Sequence, residues 1–258
     1  MDLKLPESVT NIGWVGERKA VALLALGFFA SVFALMAMIA AAQIPELVAL
    51  FAGLGVCYGI GFFALAADWF WARWFAQGLG YSGLTMVIFS VITTKELGAP
   101  MIVVGVAHAL IAFSLLGPKM SAVFEGRTDW RTRWNLDDNG VLKVQRAVTR
   151  AASSLPSLIM FIFAPREGAT ALLTLGTLGV LGMVGLLKGR TWGLLVLGAT
   201  GVATIATSIA MPPSFAAQAA AAPIPLSMLG YISGGLLLAA TLPFVPRMLS
   251  YVSSRRVA

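Results

Sequence analysis

From residue 20 onward the chain alternates between uncharged apolar runs and short breaks that hold most of its charge. A helix rises 1.5 Å per residue, so a bilayer core of about 30 Å is crossed by roughly 20 apolar residues. Eight windows fit that length: 20–42, 47–67, 78–94, 101–116, 147–165, 169–187, 192–211 and 225–245. The breaks carry helix-ending chemistry. Pro45 stands in the first, Asp68 to Trp74 form the second, and Gly98-Ala99-Pro100 and Gly117-Pro118 the next two. Arg166-Glu167-Gly168, Lys188-Gly189-Arg190 and an uncharged loop from Pro212 to Pro223 separate the later runs. The fifth window is the weakest, with Arg150 in its first turn and Pro156 inside. Arg150 can snorkel to the headgroups, and a membrane helix tolerates proline as a kink where neighbours satisfy the freed carbonyl. The pattern predicts an all-α, polytopic membrane protein of about eight transmembrane helices.

One long stretch, 119–150, is water-soluble in character, with seven of the 18 Lys and Arg and four of the 11 Asp and Glu. It divides the chain into a four-helix unit over 1–118, a linker over 119–150 and a second four-helix unit over 151–258. Asp137-Asp138-Asn139-Gly140 reads as a turn and helix N-cap, with acids at the positive end of the dipole. Val141 to Arg150 then sets Lys143, Arg146 and Arg150 on one face and Val141, Val144 and Val148 on another. That predicts a short basic amphipathic helix in the headgroup layer, feeding the fifth span.

Charge sets the orientation. With the N-terminus in the cytoplasm and eight spans, sixteen Lys and Arg fall inside and only Lys95 and Arg166 outside, in line with the positive-inside rule. Both termini are therefore expected on the cytoplasmic side of the cell (inner) membrane. The halves also resemble one another: each second span ends in a Trp and Arg cluster, and Trp71 and Trp192, like Gly80 and Gly201, lie 121 residues apart. Four spans per half keeps both in one orientation, so the expectation is a 4+4 parallel internal repeat about an axis along the membrane normal.

Composition agrees with the pattern. At 59% hydrophobic and 11% charged, the 258-residue chain is far more apolar than soluble domains. The net charge of +7 is read as topology and attraction to anionic lipid headgroups, not as a nucleic-acid footprint. The first nineteen residues lack the build of a secretory signal. Cys57 is the one cysteine, which excludes an intramolecular disulfide and a cysteine-rich metal centre.

Chemistry-bearing residues are few. His108, the single histidine, falls midway along the fourth span among small residues, where an ionisable group is a functional candidate. One His can supply one axial bond to a haem iron or a chlorin magnesium, though not the two-His set of a b-type haem. A neutral His bonding to a neighbouring helix is the stronger expectation, so no cofactor and no metal is expected. Gly55 and Gly59, with Gly176, Gly179, Gly182 and Gly185, are small surfaces for close helix packing. The second set drifts about 60° per step on a 3.6-residue helix and so faces more than one neighbour. Thr200, Thr204, Thr207, Ser208 and Tyr231, with Ser227 and Ser233, are candidates for a polar seam or substrate path, against the commoner case of hydroxyls bonded to their own helix. Trp69, Trp71, Arg73, Trp74, Trp130, Trp134, Arg190 and Trp192 read as interfacial anchors. Asp68 and Arg73 can pair with each other or hold a lipid phosphate.

P-loop, GxSxG, HExxH and CxxC patterns are absent, and so is the acid that ion-coupled carriers keep in mid-membrane. The expected function is non-catalytic: a structural, accessory or assembly subunit in a larger membrane complex, in contact with lipid and other membrane subunits. The alternatives are a small-molecule permease or channel between the halves, and a pigment- or haem-binding subunit using His108.

Overall fold

A computed structural model describes residues 13–126, 131–132, 137–163, 170–210 and 226–246. Every regular element among them is helical. In chain order these are α1 (Trp14–Gln43), a 3-10 turn (Pro45–Leu47), α2 (Val48–Ala66), α3 (Ala72–Thr94), α4 (Ala99–Ser114) and α5 (Pro118–Glu125). Then come α6 (Asp138–Phe163), α7 (Thr170–Leu187), α8 (Thr191–Ala210), α9 (Leu226–Thr241) and a 3-10 turn (Leu242–Phe244). Five of the described helical stretches are long and apolar enough to cross a membrane, and α4 with α5 makes a sixth if counted as one bent span. Apolar side chains such as Leu24, Met38, Phe63, Leu195 and Ile209 point outward, as expected where hydrocarbon is the solvent.

Two closed quartets make up the fold. In the first, α1 packs on α2, α2 on α3, α3 on α4, and α4 back on α1. The second repeats this order with α6, α7, α8 and α9. One seam dominates the join between them, α3 against α6, with a lighter contact of α2 on α6. Gly78 makes the seam close: a Cβ there would lie 2.5 Å from the Thr149 carbonyl oxygen and 2.6 Å from Ala152 Cβ. A two-fold axis along the membrane normal would pair α8 with α1 as α3 pairs with α6, and α8 and α1 form no comparable contact. The seam is head-to-tail.

The stretch 119–150 differs from the expected linker. Gly117, at φ +103, turns the chain by 71° from α4 into α5. Gly tolerates that left-handed backbone without a Cβ clash. Met120 and Phe124 of α5 are then fully buried against the first quartet, so α5 belongs to that unit. Asp137 caps the next helix, its carboxylate accepting the Gly140 N–H at 2.6 Å. From there the basic segment and the fifth window run as one 26-residue helix containing Pro156. The segment 141–150 is amphipathic as expected, with Val141, Ala147 and Val148 buried in protein and Arg146 exposed, and it is the first part of this longer helix.

Candidate functional site

Charged side chains gather at one end of the first quartet, the basic end. The start of α1, the end of α2, the start of α3 and the close of α4 all meet there. The end of α2 is a Schellman turn, with the Asp68 N–H bonded to the Leu65 carbonyl and the Trp69 N–H to the Ala64 carbonyl. The left-handed position of such a turn is usually glycine, yet here it is Asp68, at φ +53. Its carboxylate accounts for the exception: Asp68 Oδ1 lies 2.6 Å from Lys19 Nζ, with both side chains almost wholly buried. Asp68 is therefore not the partner of Arg73. Arg73 instead reaches the Glu125 carboxylate, the Ser121 hydroxyl at 3.0 Å and the Leu115 carbonyl at 3.3 Å. Trp74 Nε1 donates to the same Glu125 at 2.8 Å, and Gln77 donates to the Leu115 carbonyl at 3.1 Å. Arg18 donates to the Phe113 and Leu116 carbonyls and stacks near Trp14. Helix α4 ends with orphan carbonyls and negative dipole, and these cations and the amide satisfy both.

Deeper in this quartet sits His108. Its Nδ1 faces the Val104 carbonyl oxygen at 2.8 Å, which requires a proton on Nδ1. Nε2 is then an acceptor, and Tyr58 donates to it at 2.6 Å. Phe29 packs on the imidazole at a centroid distance of 4.2 Å. On the other side Gly83 leaves the room the ring needs, since a Cβ there would overlap the imidazole. Both ring nitrogens are thus engaged inside the protein, and an axial bond to a haem or chlorin would have to displace Tyr58. Gly83→Ala is expected to expel the ring and lower stability by about 1–3 kcal/mol. Thermal unfolding in detergent checks this, with Gly98→Ala as control because a Cβ there meets only Pro100, at 3.7 Å.

No protein-family model matches the chain. It has no significant match among curated proteins or among solved structures.

In the second quartet Thr200, Thr204 and Ser208 are buried, and with Thr207 each donates to the carbonyl four residues back. Ser233 donates to Gly230 in its own helix. The Thr and Ser hydroxyls that sequence set along a seam are thus held by their own helices, while Tyr231, 45% exposed, lines a cavity of about 480 Å³ with Tyr81, Thr85, Thr149, Arg150 and Ser153 where α3, α6 and α9 meet. The glycine run of α7 meets two helices. Gly176 and Gly179 lie against Ile162 and Leu158 of α6, and Gly182 and Gly185 against Leu197 and Gly193 of α8. Gly55 lies against Ala30 and Ala34 of α1, whereas Gly59 faces open space.

The aromatic cluster divides. Trp74, Arg73 and Trp71 are buried, a correction to their reading as headgroup anchors: Glu125, brought over by α5, supplies partners to Arg73 and Trp74 that lipid would otherwise have supplied, and Trp71 packs on Trp69 and Phe75. Trp69, Arg190 and Trp192 are exposed. Trp130 and Trp134 lie outside the described residues.

Sequence reasoning missed one further feature. Between the quartets lies a trough of about 820 Å³. Helix α6 supplies its floor through Leu158, Ile159 and Ile162, and α2 and α7 form its walls. Gly53 and Gly176 sit low in those walls, close enough that an added Cβ would stand 3.1 Å from Ile159 and 3.2 Å from Ile162. Trp69, Trp71 and Lys188 close the basic end. The lining is overwhelmingly apolar, and the volume is that of a small-molecule site. No local pattern announces it, because it exists only where α2 and α7 fail to touch.

Proposed function

We propose that this protein is a non-catalytic accessory subunit of a larger membrane assembly, working laterally through the trough between its quartets. The trough carries the reading: it is an apolar slot opening toward the plane of the membrane, lined by α2, α6, α7 and the start of α3. The polar residues described within the quartets are by contrast mostly engaged with partners in the same chain, through the Lys19–Asp68 and Arg73–Glu125 pairs, the Tyr58–His108 bond and the Ser and Thr bonds to their own helices.

All eight long helices are taken as spans, with both termini cytoplasmic in the cell (inner) membrane. The gathering of Arg18, Lys19 and Arg73 at one end, with Lys188 closing the same end of the trough, supports that orientation under the positive-inside rule. The 4+4 parallel duplication is supported by contacts that recur at a constant shift in each helix. The α2–α3 turn bonds Asp68 to Leu65, Trp69 to Ala64 and Ala72 to Trp69, and 121 residues later Gly189 bonds to Leu186, Arg190 to Gly185 and Gly193 to Arg190. Arg18 donates to the Phe113 carbonyl, and Arg150, 132 residues on, to that of Ala239, which is 126 after Phe113. Gln77 donates to Leu115, and at these shifts Gly198 lies against Thr241.

Extraction in a mild detergent followed by native mass measurement tests the proposal. A second membrane component should stay with the chain, and Val184→Trp, which fills the trough, should release it. Bare protein that moves a small solute across liposomes would overturn it.

A further inference from the structure

Resting on that lateral reading, we propose that the basic end of the trough is a site for one anionic phospholipid, its phosphate held by Lys188 and an acyl chain lying on α6. Three observations converge on this occupant. The first is the shape and lining: an overwhelmingly apolar channel between two helical walls, with Trp69, Trp71 and Lys188 at one end. The second is charge. Lys188 lines that end and Arg190 stands two residues on, both exposed, and neither has a carboxylate partner among the described residues, while the nearby Asp68 is held by Lys19. The third is Trp69, 53% exposed at the same mouth and packed edge-on to Trp71. An indole at that level favours the headgroup boundary, with its ring in the acyl region and its N–H toward water.

Depth sets which part of the trough the lipid uses. Its wall on α2 runs from Gly53 past Ile60 toward the helix end at Ala66, about 20 Å at 1.5 Å per residue, while one leaflet is about half of the 30 Å core. One phospholipid in the basic-side leaflet therefore fills the half beside Trp71, Met183 and Val184. An ammonium is a compact point charge suited to phosphate. A zwitterionic head would bring its own cation to a mouth that already has two, so an anionic head is favoured.

The test uses the full chain in nanodiscs of phosphatidylcholine containing one part in ten phosphatidylglycerol, followed by native mass spectrometry at rising collision energy. One phosphatidylglycerol per chain should survive, enriched at least ten-fold over its share of the nanodisc. Lys188→Gln should bring the retained lipid close to the bulk ratio, and Val184→Trp should remove it. Leu195→Trp, on the outer face of α8, should leave it unchanged, and unfolding temperatures should show that all three variants fold. Retention of both lipids in bulk proportion by the wild type, or indifference to Lys188→Gln, overturns the proposal. A polypeptide retained in place of lipid, and released by Val184→Trp, would sink the lipid site while leaving the lateral reading intact. A bare chain unaffected by Val184→Trp would sink both.

Discussion

Asp68→Asn is expected to destabilise the protein by about 3–5 kcal/mol, and Lys19→Met by a similar amount, while replacing both residues together restores most of the loss. Each single change breaks the buried Lys19–Asp68 pair from one side, and losing one member of a buried pair costs more than replacing both. Asparagine is chosen because it keeps the shape of Asp68 and tolerates the left-handed backbone at φ +53, so that the charge is what is tested. The restoring variant is Lys19→Met with Asp68→Gly. Glycine is the residue that fits this turn without strain, and the matching turn after α7 already has Gly189 there, at φ +66. Unfolding in detergent of the wild type, Lys19→Met, Asp68→Gly and their double completes the cycle, and a double as unstable as the worse single would refute the argument.

The second large effect is expected at the seam. Gly78→Val should lower the unfolding temperature by several degrees and weaken the contact between the quartets. The atoms a side chain would meet are the Thr149 carbonyl oxygen at 2.5 Å, Ala152 Cβ at 2.6 Å and the Ser153 nitrogen at 3.0 Å. Two of the three are backbone, which cannot swing aside as the end of a side chain can, so the whole of α6 must move. A penalty of at least about 3 kcal/mol corresponds to roughly 6–12 °C in a protein of this size. Gly235→Val is the control, since nothing lies within 4 Å of a Cβ there. Equal losses in the two variants would show that intrinsic helix propensity, not the close crossing, is being measured.

These two sites differ in how far the chain announces them. Helices were legible because apolar runs of membrane length leave a helix little competition, and each of the eight windows contains one. Partnerships were not. Asp68 reads locally as the neighbour of Arg73, yet it finds Lys19, 49 residues earlier, because the start of α1 and the end of α2 share one end of the quartet. Trp71 and Trp74 read as headgroup anchors because a Trp and Arg cluster at a span end often is one. The partner of Trp74, Glu125, arrives only because α5 folds back after Gly117, a turn that reads from sequence as a simple stop. His108 was found as a residue, but its bond to Tyr58 joins two helices whose register no spacing rule supplies. The trough was invisible for the same reason, since it depends on which helices stand apart.

The head-to-tail seam has a consequence for how the protein is made. Helix α6 is not among the helices apolar enough to cross a membrane unaided, with Arg146, Arg150 and three serines along it, and its buried residues are spread along almost its whole length. It packs on α3, which belongs to a quartet already complete in the chain before α6 is synthesised. On the eight-span reading proposed above, entry of α6 into the bilayer is easiest after the first quartet has closed and presents the Gly78 surface, so that protein rather than lipid receives the weakest helix. Biogenesis then has a built-in order, first quartet before second. A glycosylation reporter placed after α6 in the Gly78→Val protein reads that order directly, as a shift in which side of the membrane the reporter reaches.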